Sequence, residues 1–195
     1  NNRSHEMKMA RTIAQKLGVE WIPVPSCKTG HRSLYNSQVR LEYAHYADGL
    51  HMTPVLLDFE AIYRLRSRGV FPRDAVIING YSGDFLFGGH IPAALLHSPS
   101  THTLVEKFME KNYANFSSKK MNRARKIMGR ELEKQVVVEN NQLDNAENYC
   151  GVYEQWDWAE RQTKAVVNGQ RVYEFFDLDW RLPLWDKRLV EFWAK

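Results

Sequence analysis

An α/β fold is predicted for this chain: a parallel sheet with crossover helices, followed by a mostly helical half. Three observations predict it. Up to residue 78 the segments read helix, strand, helix, helix, strand. The apolar run Ala75-Val76-Ile77-Ile78 leads straight into a glycine-rich stretch, NGYSGDFLFGGH, over residues 79–90. Beyond His97-Ser98-Pro99-Ser100 the periodicity turns almost wholly helical. The expected division is therefore a sheet-bearing part over 1–97 and a helical part over 98–195.

Each element has its own warrant. Ser4 is an N-cap candidate, and Met9, Ala10, Ile13, Ala14 and Leu17 make an apolar stripe that Gly18 closes. Val19 to Val24 reads as a short strand, and Pro25 to Ser33 as a loop. Leu34 to Ala47 reads as a helix, with Leu41, Ala44 and Tyr46 among its less polar residues. Pro54 at a first-turn position, followed by Leu56, Leu57, Phe59, Ile62, Tyr63 and Leu65, predicts another helix ending near Gly69. Ala75 to Ile78 is then a buried strand. In the second half, 104–113, 118–135 and 149–167 carry helical spacing.

With 195 residues, 44% of them apolar, the chain can build a sizeable core. Its apolar runs span only a few residues, far short of the about 20 needed to cross a bilayer. A soluble protein of the cytoplasm, with no membrane partner, is the expectation. Cys27 and Cys150 stand far apart without a CxxC or Cys/His cluster, which argues against a zinc site or a disulfide framework. The net charge of +4 is mild and much of it gathers between Lys119 and Lys134. There Met121, Ala124, Ile127, Met128 and Leu132 recur at helical spacing between Arg123, Lys126, Arg130 and Lys134. This is the pattern of a solvated helix face, and a phosphate grip is the other reading. Nucleic acid is not the expected partner. The aromatics of the last third, from Tyr149 to Trp185, read mainly as helix packing, with an exposed subset available for a homodimer face.

The stretch 79–90 is where chemistry is expected. Glycines at 80, 83, 88 and 89 permit backbone conformations and close approaches closed to other residues, and they surround a single carboxylate, Asp84. In a parallel sheet such a loop lies at a carboxyl strand end, where ligands bind. A tight strand-to-helix turn without a ligand is the alternative.

Three segments together resemble the synthetase domain of the asparagine synthetase family, a branch of the PP-loop ATP pyrophosphatases. Residues 79–90 are similar to the family's SGxGxDExFGGY loop, with Gly80, Gly83, Asp84 and Phe87-Gly88-Gly89 in register. Asp179 to Asp186, DWRLPLWD, resembles its ExRxPFxD segment, with Arg181, Pro183 and Asp186 in place. His5-Glu6, Ala10, Ala14 and Leu17-Gly18 resemble the helix that follows its nucleotide loop. The resemblance covers almost the whole chain and implies an adenine nucleotide alpha hydrolase-like core. It implies an ATP-dependent ligase that adenylates a carboxylate, releases pyrophosphate and lets ammonia form an amide. The cofactors implied are ATP and Mg²⁺. Asp84 corresponds to the family's metal-binding and catalytic aspartate; Gly80, Tyr81, Ser82 and Gly83 would lie beside the nucleotide. Tyr81 is a candidate for proton transfer, and Arg181 and His90 for substrate binding. Arg161 and Arg171 are further candidates for anchoring a carboxylate or phosphate, with ion pairs to acids such as Glu160, Glu174 and Asp179 as the alternative.

The departures are specific. Tyr81 replaces a catalytic glutamate of the family, Phe85 replaces the glutamate after the aspartate, and His90 replaces a tyrosine. The family's SGGxDS phosphate loop is absent from the sequence, which begins one helix–strand unit late and ends before the family's catalytic lysine. Both parts are expected in a longer native protein, and this chain alone is expected to be inactive. The partners implied are a small carboxylate and ammonia or a glutaminase. Residues 160–176, leading into the DWRLPLWD segment, resemble stand-alone relatives linked to bacterial surface-polysaccharide biosynthesis. A PP-loop ATPase that modifies tRNA and a non-catalytic remnant of the synthetase domain are the alternatives.

Overall fold

The computed structural model describes residues 5–25, 27–50, 52–113, 121–139 and 143–193. In chain order these form α1 (His5–Leu17), α2 (Lys28–Tyr35), α3 (Gln38–Ala47), α4 (Phe59–Ser67), β1 (Val76–Ile78), α5 (Gly83–Leu86) and α6 (Ala93–His97). There follow α7 (Thr101–Tyr113), α8 (Met121–Glu139), α9 (Ala146–Asp157), a π-helix (Trp158–Val167) and a 3₁₀ turn (Asn168–Gln170). The chain closes with α10 (Arg171–Phe175), β2 (Asp179–Arg181), a 3₁₀ turn (Pro183–Trp185) and α11 (Lys187–Trp193). The protein is mostly helical. Among the described residues its one sheet is the parallel pair β1–β2, in which Val76, Ile77 and Ile78 face Asp179, Trp180 and Arg181. No described helix is long and apolar enough to cross a membrane.

Two compact units divide the chain: residues 1–79 with 165–183, and residues 80–164 with 184–195. The first unit is built on aromatic packing. Tyr43 and Ala47 of α3, Phe59 and Ile62 of α4, and Val172, Tyr173, Phe176 and Leu178 form its core. The rings of Tyr43 and Phe59 lie 5.0 Å apart, and those of Phe59 and Phe176 5.5 Å. Burial pushes the Tyr43 hydroxyl up to about 12, and it donates to the Val55 carbonyl at 2.7 Å. The end of β1 is tied in by a polar relay. Asn79 Nδ2 donates to the Tyr173 hydroxyl at 2.7 Å, which donates to Asp58 Oδ2 at 2.6 Å. Asp177, at φ 56°, ends α10 in the left-handed region, where Arg66 pairs with its carboxylate and donates to the Phe176 carbonyl.

The second unit packs α6, α7, α8 and α9. Leu95, Leu104, Phe108, Val136, Tyr149, Cys150 and Tyr153 are its core, with the Phe108 ring stacked 5.4 Å from Tyr153. Both cysteines are free thiols, Cys27 exposed and Cys150 buried.

Several expected elements differ. Val19 to Val24 is irregular, because among the described residues no neighbouring strand supplies its ladder hydrogen bonds. The stripe on α1 is largely exposed: of its members only Ala14 is buried, while Met9, Ile13 and Leu17 face outward. Gly18 does close the helix, at φ 66°; the Ser4 cap lies outside the described residues. The loop expected over 25–33 contains most of α2, whose N-cap is Cys27, its Sγ accepting from the Gly30 amide at 3.3 Å. The helix expected over 34–47 is broken at Asn36-Ser37, where the Ser37 hydroxyl caps α3. Its buried face is Tyr43 and Ala47, and Leu41 and Tyr46 are exposed. The helix expected from Pro54 starts only at Phe59, after Asp58, and Gly69 ends it at φ 66°. β1 exposes Val76 and Ile78 and half-buries Ile77, so it is an edge strand and not a buried one. On α8, Arg123, Lys126, Arg130 and Lys134 are exposed as a solvated face requires, and so is Ile127; the side chains of Met121 and Ala124 lie outside the described set.

Candidate functional site

The glycine-rich stretch folds into a closed turn in the second unit. α5 is one short turn, and it ends in a Schellman arrangement: the Gly88 amide donates to the Phe85 carbonyl at 3.0 Å and the Gly89 amide to the Asp84 carbonyl at 2.8 Å. Gly88 takes φ 73°, which a side chain would strain. Gly89 is required for a different reason, because a Cβ there would sit 2.8 Å from the Asp84 carbonyl oxygen. The two glycines bring the chain back on itself, so that His90 returns to the side chain of Asp84.

The contacts around His90 define the site. Its Nε2 lies 2.8 Å from Asp84 Oδ2, and its Nδ1 lies 2.8 Å from Asp157 Oδ2. The two carboxylates are placed very differently. The Asp84 side chain is 71% exposed, whereas that of Asp157, at the end of α9, is fully buried. Asp157 is therefore an anchor and Asp84 the group that faces solvent. Lys111 Nζ of α7 pairs with Asp157 Oδ1 at 2.8 Å, and Gln162 Nε2 donates to Asp157 Oδ2 at 3.0 Å. The Arg161 guanidinium lies 3.3 Å from His90 Nδ1 and 3.9 Å from Asp157. Arg161 and Gln162 sit on the π-helix, whose wider turn is a recurrent feature of functional sites.

Charge follows from this arrangement. Partial burial would raise the Asp84 carboxyl, but the His90 hydrogen bond and charge, with Arg161 behind, hold it below the ordinary carboxylate range. Burial acts more strongly against Asp157, and the hydrogen bonds from Lys111, Gln162 and His90 outweigh it and hold that carboxyl low as well. Burial, then the negative charge of Asp157, push the Tyr153 hydroxyl up to about 12. The result is a carboxylate that stays ionised, on a rigid turn, beside one half-exposed guanidinium.

The expected site residues fall into two groups. Gly80, Tyr81, Ser82, Gly83, Asp84 and His90 all belong to the second unit. Ser82 is buried, and its hydroxyl donates to Gln162 Oε1 at 2.6 Å and accepts from Trp185 Nε1 at 3.2 Å. That hydroxyl is engaged inside the protein and is not presented to a ligand. Tyr81 is half-buried, and a Cβ on Gly83 would lie 2.9 Å from Leu184 Cδ1. Arg181 lies on β2 in the first unit, its Nη1 donating to the Trp180 carbonyl. Arg171, also there, places its guanidinium 4.7 Å from the Tyr46 ring centroid. Two of the acids proposed to pair with these arginines are otherwise engaged: Glu160 with Lys164, and Glu174 with the Trp180 indole. Phe85, where the family has a glutamate, is buried with its ring 6.0 Å from His90.

Sequence reasoning passed over Lys111, Asp157 and Gln162. A signal for Asp157 exists, because Tyr149, Tyr153 and Asp157 stand four residues apart on one buried helix face, and an acid on an apolar stripe needs a partner. Lys111 and Gln162 reach the site only through the tertiary fold.

No family model matches the chain, and no curated protein or solved structure matches it.

The turn makes a testable claim. Gly89→Ala is expected to destabilise the protein by about 1–3 kcal/mol, since its Cβ meets backbone and not a side-chain tip that can swing away. Gly80→Ala, with nothing within 4 Å of its Cβ, is the control and should be nearly neutral. Urea denaturation of the two variants decides it; equal midpoints would show that the close approach at Gly89 carries no constraint.

Proposed function

We propose that this chain is the synthetase-type part of an ATP-dependent amide-forming ligase with a PP-loop core, which adenylates a carboxylate and releases pyrophosphate before ammonia attacks. The observation that carries the reading is Asp84: an exposed, ionised carboxylate on a glycine-closed turn, directly following a parallel strand in the chain and held by His90. The resemblance of residues 79–90 and 179–186 to the asparagine synthetase family supports the same reading. Surface-polysaccharide biosynthesis is the setting the resemblance favours, which makes sugar acids the first substrates to try.

The fit to Mg²⁺ is limited and specific. Among the described residues no group of three or more His, Cys, Asp or Glu side chains could hold a metal ion by itself. Mg²⁺ commonly takes only one or two protein carboxylates and completes its shell with phosphates and water. Asp84 alone suits an ion that arrives with ATP, and the chemistry supplied would be neutralisation of charge on the departing pyrophosphate. His90 then keeps Asp84 oriented through Oδ2, Asp157 and Lys111 keep His90 in place, and Arg161 offers a fork to an anionic group of the substrate. Tyr81 supplies a hydroxyl on the same loop.

Pyrophosphate release from Mg-ATP, measured across candidate carboxylic acids with ammonia or glutamine and with the native-length protein, tests the reading. Acid-dependent pyrophosphate is the expected result. Pyrophosphate at the background rate with every acid would overturn it.

A further inference from the structure

Behind the Asp84 turn, within the second unit, lies a cleft of about 210 Å³ that the proposed chemistry does not use. Its walls are Phe85, Trp158, Val190 and Trp193, and Glu154 is the one charged group among its lining residues. The aromatic walls pack on one another and on neighbouring rings. Trp158 is 5.8 Å from Phe85 and 4.4 Å from Trp185, and Trp193 meets Phe87 edge-on at 4.9 Å. Trp158 and Trp193 nevertheless remain 36% and 50% exposed, so their rings are open to a ligand.

Several aromatic faces around a single carboxylate are complementary to positive charge with apolar arms, because ring quadrupoles attract cations and the carboxylate supplies the counter-charge. We propose that this cleft binds a small organic cation, a quaternary ammonium or a protonated amine, with the aromatic rings enclosing its alkyl groups and Glu154 facing its charge. The volume is below the roughly 300–1,000 Å³ of drug-sized sites, which restricts the ligand to a small head group. In the free cleft, burial, then the negative charge of Asp157, push the Glu154 carboxyl up, against a smaller pull from His90. A bound cation would offset the negative charge of Asp157 and favour the carboxylate form of Glu154. A neutral apolar ligand would leave Glu154 without a counter-charge and gain only the aromatic contacts.

The test uses choline and its neutral isostere 3,3-dimethylbutan-1-ol, titrated into the full chain while the indole ¹⁵N–¹H resonances of Trp158 and Trp193 are followed. Choline is expected to shift both resonances saturably, and the alcohol to bind roughly tenfold more weakly or worse. Glu154→Gln should weaken choline by roughly tenfold and leave the alcohol unchanged. Trp193→Leu, at a half-exposed site, should weaken choline as well. Equal affinities for the two probes, an unchanged choline affinity in either variant, or no shift at tens of millimolar choline would each overturn the proposal. Neither ATP nor a carboxylic acid is present in this experiment, so its outcome is separate from that of the pyrophosphate assay.

Discussion

Asp157→Ala is expected to cost about 3–5 kcal/mol of stability, the largest effect of any single substitution in the candidate site. Asp157 is fully buried and receives Lys111 at 2.8 Å, Gln162 at 3.0 Å and one nitrogen of His90 at 2.8 Å. Removing the carboxylate leaves an ammonium only 23% exposed without its counter-charge and takes away the oxygen that Gln162 and His90 share. A protein of this kind is typically stable by about 5–15 kcal/mol, so the loss would be visible as a large fall in urea midpoint. Replacing the pair together, Asp157→Leu with Lys111→Met, should recover much of the loss, because the desolvation of both charges disappears with them. A midpoint in Asp157→Ala within about 0.5 kcal/mol of the parent, the range of a neutral surface change, would contradict the buried network.

The same residue sets a pH dependence. The Asp157 carboxyl is held below its ordinary value in the folded protein, and Asp84 is displaced in the same direction. A group depressed on folding contributes stability that is fully present above the unfolded value, about 3.9 for an aspartate, and is lost as pH falls through the folded value. The gap in stability between the parent and Asp157→Ala should therefore be constant near neutrality and shrink below about pH 4. A gap that widened with acid would reverse the assigned direction.

How far such a site can be read in advance depends on where its determinants lie. Gly18, Gly69 and Gly88 were legible as turn or cap residues, because a positive φ is a local demand that sequence records directly. Helix spacing was equally legible over 104–113 and from 149 onward, where the buried stripes Leu104, Val105 and Phe108, and Tyr149 and Tyr153, are periodic; the helices themselves start at Thr101 and Ala146, and the second gives way to a π-helix at Trp158. The segment Val19 to Val24 failed for the opposite reason. A short apolar, β-branched run is compatible with a strand, but a ladder needs a neighbour, and no local pattern supplies one. α2 was missed because a cysteine cap is a weak signal and its sequence, KTGHRSLY, carries no continuous stripe. Within the site, Asp84 and His90 were visible as chemistry in a glycine loop. The buried anchor, Asp157 with Lys111, depends on α7 and α9 coming together in three dimensions.

If the proposed ligase reaction is right, Asp84→Asn is expected to lower turnover by about two to three orders of magnitude while leaving the fold nearly intact. The two effects separate because of where Asp84 stands. Its side chain is 71% exposed, so its contact with His90 contributes little to stability, about 1 kcal/mol at most. Asparagine keeps an oxygen that can still accept from His90 Nε2, so the turn closed by Gly88 and Gly89 has no reason to move. What asparagine cannot supply is the negative charge, and that charge is the whole of what the proposed reaction asks of this position. Rate and urea midpoint measured on the same preparation decide between readings. A large loss of rate at an unchanged midpoint supports a direct role for the carboxylate. A parallel fall in both would make Asp84 a structural group, and parental rates at an unchanged midpoint would remove it from the reaction altogether.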